Sequence, residues 1–129
     1  MPCITVMIPG YSARHRTKLE DGTGFTSTGT LIEKAIKQAA FDSAAALDGN
    51  KLTPDDFWVY LVGVPASVPA TKFTIELLKR PERDQAWINA LARNVGRAVT
   101  KSCAQYSKAV VGFTYQHDED FGFCEIGGH

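Results

Sequence analysis

The chain has 129 residues, of which 44% are hydrophobic and 22% are charged, a composition typical of one soluble globular domain. Its 14 basic and 14 acidic side chains cancel, which argues against a partner such as nucleic acid or an anionic membrane. The three cysteines have no metal-ligand spacing, and no apolar run is long enough for a signal peptide or a membrane span. We therefore expect a single cytoplasmic domain with free thiols and no metal.

The chain opens with Met1 and Pro2, followed by an apolar stretch that predicts a first strand from Ile4 to Ile8. Proline seldom opens a strand, because it has no amide hydrogen to donate and its φ angle is fixed. If Met1 is removed, Pro2 carries a secondary amine, which is a rigid base and nucleophile. The alternative interpretation is a proline that merely precedes an edge strand.

A polar segment from Tyr11 to Gly29 shows no apolar periodicity and is predicted to be a loop. It is long for a compact domain, and it is either a lid over a site or a solvated surface insertion. Thr30 and Glu33 have the spacing of a capping box, so the first helix is predicted to begin at Thr30 and to end at Asp48-Gly49. A buried second strand is predicted at Phe57 to Val62.

The same order of elements repeats in the second half of the chain. We predict a third strand at Phe73 to Leu78, a second helix with Pro81 in its first turn, and a fourth strand at Ala109 to Phe113. The buried stripe of the second helix is predicted at four-residue steps: Trp87, Leu91, Val95 and Val99. The predicted boundaries are 2–64 and 71–115 for the two repeat units, and 116–129 for an irregular C-terminal tail.

Strands separated by helices form right-handed crossovers, with parallel pairing inside each unit. The predicted fold is therefore an α+β domain, in which two βαβ units form a four-stranded sheet with both helices on one face. The opposite face, which carries Trp58 and Tyr60, has no remaining segment to cover it. We therefore expect a homo-oligomer.

Arg80 and Arg83 lie where the third strand runs into the second helix. Two guanidinium groups beside the free amides of a helix N-terminus form a strong site for a carboxylate. Cations there oppose the helix dipole, so helix stability does not explain them. The alternative is a pair of exposed arginines in contact with acidic neighbours such as Glu82 or Asp84.

The first strands of the two units are expected to lie close together. Pro2 is therefore predicted to share a pocket with the two arginines, either within one subunit or in a pocket that a neighbouring subunit completes. Nearby cations lower the pKa of an amine toward the range of a general base. An adjoining carboxylate would instead keep the amine protonated as a general acid. In both cases the amine moves a proton on a substrate whose carboxylate the arginines hold.

These features resemble the tautomerase superfamily. The resemblance lies in the Pro-Cys-Ile-Thr-Val run at 2–6, in the two βαβ units, and in Arg80 at the junction between the third strand and the second helix. In the second half, the run from Ile75 to Pro81 and the aromatic tail around Gly122 resemble the malonate semialdehyde decarboxylases. The spacing of Arg80 and Arg83 resembles the cis-3-chloroacrylic acid dehalogenases.

The resemblance implies a homotrimeric enzyme, without a cofactor, that acts on a small keto or unsaturated carboxylic acid. The site residues that it implies are Pro2 and Asp56 in catalysis, and Arg80, Arg83, Phe121 and Phe123 in substrate binding. Asp56 would steer water or the proline, and the two phenylalanines would be apolar walls. Alternatively, Asp56 is a turn residue and the phenylalanines belong to the core.

The resemblance leaves the reaction open between tautomerisation, hydration, decarboxylation and dehalogenation. Glu82 stands where the decarboxylases have their second arginine, and Ala40 and Phe113 stand where the dehalogenases have a histidine and a tyrosine. A function of another class is a non-catalytic trimer that binds a small acid or a partner protein. Retention of Met1 would favour it, because Met1 then acylates the nitrogen of Pro2.

Overall fold

A computed structural model describes residues 2–48, 53–81 and 83–118 of the chain. The elements along these residues are β1 (Cys3–Pro9), β2 (Arg16–Lys18), β3 (Phe25–Ser27), α1 (Thr28–Asp48), a short 3-10 helix (Pro54–Asp56), β4 (Trp58–Val64), β5 (Ala70–Leu78), α2 (Gln85–Ser102) and β6 (Ala109–His117).

Four of the strands form one sheet in the order β4-β1-β5-β6. β1 runs parallel to β4, and β5 runs parallel to β6. The two central strands are antiparallel, with Cys3 opposite Glu76. The two βαβ units therefore meet along their first strands, and the predicted α+β class with a four-stranded sheet is confirmed.

Both helices pack on one face of this sheet and form the core with it. Side chains alternate between the two faces of a strand, and the buried set faces the helices. In the central strands this set is Ile4, Val6 and Ile8 of β1 with Thr71, Phe73, Ile75 and Leu77 of β5. The helices contribute Ile32, Ile36 and Ala40 of α1 with Trp87, Leu91, Val95 and Val99 of α2. The apolar stripe predicted for the second helix is the face that α2 buries.

The other face of the sheet, called the open face below, exposes large apolar side chains in the single chain. Five of them are at least 40% exposed: Met7, Val62, Val111, Phe113 and Tyr115. The strand register places Val62, Met7, Lys72 and Val111 in one row across all four strands, so a single lysine interrupts an otherwise apolar row. A mostly apolar exposed face of this kind is typical of an interaction surface.

The predicted loop at 11–29 contains a β-hairpin formed by β2 and β3. Its turn is held by the carboxylate of Asp21, which accepts hydrogen bonds from the amide of Thr23 at 2.9 Å and from its hydroxyl at 2.7 Å. Gly22 in the same turn has a φ of 76°, a conformation that glycine adopts without strain. Strands of three mostly polar residues are too short to show an apolar period, so the prediction of an irregular loop was wrong.

The hairpin is fixed to the second unit through an aromatic cluster. His15 Nδ1 lies 2.7 Å from the hydroxyl of Tyr106, and the two rings stack with centroids 5.7 Å apart. Tyr106 follows α2 and precedes β6, at the end of the sheet where β1 finishes, whereas Pro2 lies where β1 starts. Within one subunit the hairpin is therefore not a lid over Pro2.

Other predicted boundaries moved by a few residues. α1 begins at Thr28 and not at Thr30, because the hydroxyl of Ser27 accepts a hydrogen bond from the Thr30 amide at 3.4 Å. β5 begins at Ala70, three residues earlier than predicted. β6 continues to His117, so the first two residues of the predicted tail belong to the sheet.

Across the described ranges, the longest apolar helical windows fall short of what crossing a membrane requires. The same residues contain no group of three or more histidine, cysteine, aspartate or glutamate side chains placed to hold a metal ion.

Cys103 follows α2 and is completely buried as a free thiol. Burial raises the pKa of this thiol from 9.0 to about 11. Between these values the unfolded chain loses the proton while the folded chain keeps it, so the free energy of unfolding should fall as pH rises, by up to about 1.4 kcal/mol per pH unit. Denaturant unfolding measured across this range should show a steeper fall for the wild type than for Cys103→Ala. Equal slopes in the two proteins would contradict the assignment.

Candidate functional site

Pro2 lies at a corner of the sheet where several strand ends meet. The residue is completely buried, and its carbonyl oxygen accepts a hydrogen bond from the amide of Trp58 at 3.1 Å, which joins it to the start of β4. Cys3 pairs with Glu76, so one further step in this antiparallel register places Pro2 beside Leu77 near the end of β5. Met1 lies outside the described residues.

Arg83 reaches the same corner. Its guanidinium Nη1 donates a hydrogen bond to the carbonyl oxygen of Leu78 at 3.0 Å, and its guanidinium carbon lies 5.2 Å from the ring centroid of Trp87. Leu78 is the last residue of β5, next to the position that the register gives to Pro2. Pro2 and Arg83 therefore lie at the same end of the sheet, each beside the last residues of β5.

Arg80 is placed differently from Arg83. Its side chain is exposed, and its carbonyl oxygen accepts a hydrogen bond from the Arg83 amide at 3.0 Å, which closes a turn after β5. α2 begins only at Gln85, and the carboxylate of Asp84 caps it by accepting from the Trp87 amide at 2.9 Å. Arg83 therefore directly precedes the cap of α2, whereas Arg80 lies three residues further from the helix.

Pro81 also precedes the second helix, whereas the sequence predicted it in the first helical turn. Both Pro81 and Asp84 are signals of a helix start, and the aspartate is the one that satisfies a helix amide. The arginines consequently lie in the connection before the helix.

Asp56 holds a turn together. Its Oδ2 atom accepts hydrogen bonds from the amide of Thr53 at 2.7 Å and from the Thr53 hydroxyl at 3.3 Å. The Asp56 amide donates in return to the Thr53 carbonyl oxygen at 3.0 Å. Asp56 stands two residues before the strand that receives Pro2, but Oδ2 is directed toward Thr53. This geometry matches the alternative interpretation of Asp56 as a turn residue.

The other two predicted binding residues, Phe121 and Phe123, lie outside the described residues, as does Glu82.

Trp87 is a residue of this corner that the sequence assigned only to the core. It is 2% exposed, and its indole Nε1 has no hydrogen-bond acceptor among the residues that the structure describes. A buried indole N–H usually has a partner, so this donor is notable beside the Arg83 guanidinium. No sequence signal separates it from the other apolar residues of the stripe.

Glu76 and His117 form a second pair that the sequence did not indicate. His117 Nε2 lies 3.4 Å from Glu76 Oε1, which makes an ion pair when the histidine is protonated. The two residues lie on neighbouring strands, on the open face and at the end of the sheet that holds Pro2. His117 was missed because its segment was predicted to be an irregular tail.

Comparison with known proteins extends these observations. No family model matches the chain, and no curated protein sequence does. Among solved structures, Pt0534 inactivated by 2-oxo-3-pentynoate is similar, with a TM-score of 0.63 and 14% identity over 89% of this chain and 85% of that chain. A symmetric trimer of fused 4-OT gives a TM-score of 0.59 and 16% identity over 89% and 85%.

Malonate semialdehyde decarboxylase, whose wild-type, mutant and inactivated structures were used to explain decarboxylase and hydratase activities, is also similar. Its TM-score is 0.58 at 9% identity, over 93% of this chain and 90% of that chain. All three proteins are members of the tautomerase superfamily, as the resemblance in the sequence suggested. Identities of 9% to 16% establish a common fold and not a common activity. The four-stranded sheet, its two helices and these three similarities together show that this chain has the tautomerase fold.

Proposed function

We propose that this chain is a cofactor-independent enzyme of the tautomerase superfamily that uses the Pro2 amine as an acid or base on a small keto or unsaturated carboxylic acid. The observation that supports the proposal is that Pro2 and the Arg83 side chain both lie beside the end of β5. The similarity to Pt0534 and to malonate semialdehyde decarboxylase supports an isomerase or lyase.

The chemistry follows from the groups at this corner. The Arg83 guanidinium presents several N–H donors in one plane and binds the substrate carboxylate, and the Trp87 indole N–H supplies a further donor. In the proposed reaction the Pro2 amine acts in its neutral form. It accepts the enol proton or a proton from the carbon beside the carbonyl, and returns it to the other position, which interconverts the keto and enol forms.

We propose further that the enzyme is a homotrimer. The open face exposes Phe113 and Tyr115 in the single chain, and copies packed through this face would bury them. The fused 4-OT protein with a similar fold forms a symmetric trimer, which supports this number of subunits. The Glu76–His117 pair would then lie at the interface, close to the proposed site.

Replacement of Arg83 by glutamine is expected to lower kcat/KM by about 10- to 100-fold, chiefly through KM, because the charge-assisted hydrogen bonds to the carboxylate are lost. The measurement is steady-state kinetics of a methionine-free preparation on phenylenolpyruvate and a panel of small keto and unsaturated acids. Arg14→Gln, which removes an exposed charge from the segment just before the hairpin, is the matched control. An unchanged kcat/KM in Arg83→Gln would show that the carboxylate binds elsewhere.

The complete burial of Pro2 favours a second candidate, a trimer that binds a small acid or a partner protein without turnover. In that case Met1 remains attached, and the amide nitrogen of Pro2 neither accepts a proton nor attacks a substrate. The intact mass of the purified chain separates the two candidates. A retained methionine, together with saturable acid binding and no turnover in the panel, would support the binding module.

A further inference from the structure

A second cluster of cations lies on α2, away from Pro2. Arg93, Arg97 and Lys101 follow one another at intervals of four residues, so they lie on one side of the helix, and all three are exposed. They occupy the C-terminal half of α2, beside the starts of β5 and β6, whereas Pro2 lies beside the end of β5. The cluster therefore belongs to a different part of the surface from the proposed active site.

These cations line a groove of about 430 Å³ between α2 and the sheet. Its remaining walls come from Phe73, Gly96, Thr100 and Val110, and none of the lining residues is acidic. The helix turn at Gly96 packs close to the Phe73 ring. A Cβ atom added at Gly96 would lie 3.4 Å from the nearest ring atom. The groove thus combines an apolar floor with a cationic wall.

Interactions inside the chain do not account for the three charges. In the described part of the chain, Arg93, Arg97 and Lys101 have no ion pair with an acidic side chain. Like charges four residues apart destabilise a helix. The helix dipole favours Lys101 in the last turn, but Arg93 lies two turns further from that end.

The donors available in the groove are mainly the cations. The hydroxyl of Thr100 donates its hydrogen to the carbonyl oxygen of Gly96 at 2.8 Å, so it is already engaged. The guanidinium groups of Arg93 and Arg97 suit oxyanions, since each presents N–H groups in pairs. A single carboxylate would neutralise one of the three charges, whereas a phosphate monoester carries up to two.

We propose that this groove binds a small phosphate monoester, with the phosphate held by Arg93, Arg97 and Lys101 and the organic group against Phe73 and Val110. The volume suits this class, because small-molecule sites usually exceed about 300 Å³ and a phosphate ion alone would leave most of the groove empty. This site is separate from the proposed catalytic corner and does not depend on it.

The test is a titration of the ¹⁵N-labelled full-length protein with phenyl phosphate, and in parallel with benzoate, which has the same ring but a carboxylate. We expect phenyl phosphate to shift the amide signals of Gly96, Thr100 and Val110 in a saturable manner, and benzoate to bind more weakly. The double variant Arg93→Gln/Arg97→Gln should weaken phenyl phosphate binding by about tenfold or more.

The matched control is Arg14→Gln/Lys18→Gln, which removes two exposed charges in and just before the hairpin and should change the affinity by less than about twofold. Thermal unfolding of both variants verifies that each is folded. Equal weakening in the two variants, equal affinity for benzoate, or saturable shifts confined to another surface would overturn the proposal. Pro2→Ala should leave phenyl phosphate binding unchanged, so this result stands apart from the catalytic proposal.

Discussion

Replacement of Pro2 by alanine is expected to lower kcat/KM for phenylenolpyruvate by about 10² to 10⁴, in a preparation from which Met1 has been removed. Alanine keeps an amine at this position, but it loses the ring that fixes φ and makes the amine secondary. The backbone bond from the Trp58 amide to residue 2 survives the change, so the protein should remain folded. Steady-state kinetics measure turnover, circular dichroism verifies that the variant is folded, and the intact mass verifies that Met1 has been removed.

The control for this variant is Pro69→Ala. Pro69 is exposed in the connection before β5, at the end of the sheet away from Pro2, and should be neutral for turnover. A wild-type preparation that retains Met1 should be as inactive as a chain without the amine, because the nitrogen is then an amide. Full activity of Pro2→Ala would refute the proposed mechanism.

The second large effect is expected from Phe113→Asp. Phe113 is 43% exposed in the single chain and lies on the open face, where the Nζ atom of Lys72 is 5.2 Å from its ring centroid. In the proposed trimer the ring is buried, and its removal from the interface would cost about 3–5 kcal/mol per subunit, the level seen when a buried phenylalanine ring is lost. We expect light scattering to report single chains in place of trimers.

Gln116→Asp provides the control for the interface. Gln116 lies on the same strand and is exposed, but it lies on the face opposite to Phe113. It adds the same charge and should leave the trimer intact. If the assembly persists in Phe113→Asp with an unchanged mass, the open face is not the subunit interface.

Much of the fold could be predicted because its main elements are long and strongly patterned. The first strand from Ile4 to Ile8 lies inside β1, and the stripe from Trp87 to Val99 is the buried face of α2. The hairpin at 16–27 could not be predicted, since its strands have three residues each and little apolar content. Its position depends on contacts such as that of His15 with Tyr106, which are 91 residues apart.

The candidate site was predictable where it depends on chain order, and not where it depends on side-chain direction. Chain order alone places Arg83 just after a strand that neighbours β1, and the structure has it at that end of the sheet. The sequence left Asp56 open between a catalytic residue and a turn residue, because only the structure shows that its carboxylate is directed to Thr53. The Glu76–His117 pair required the register between two strands, which no local pattern contains.

The central position of β1 has a consequence for the order of events during synthesis. The strand is synthesised first, but its neighbours β4 and β5 occupy residues 58–64 and 70–78. It therefore cannot pair on both sides until both of those strands have left the ribosome. Once it is inserted, Pro2 is completely buried. An aminopeptidase that exposes the proline nitrogen is therefore expected to act on the nascent chain, ahead of folding.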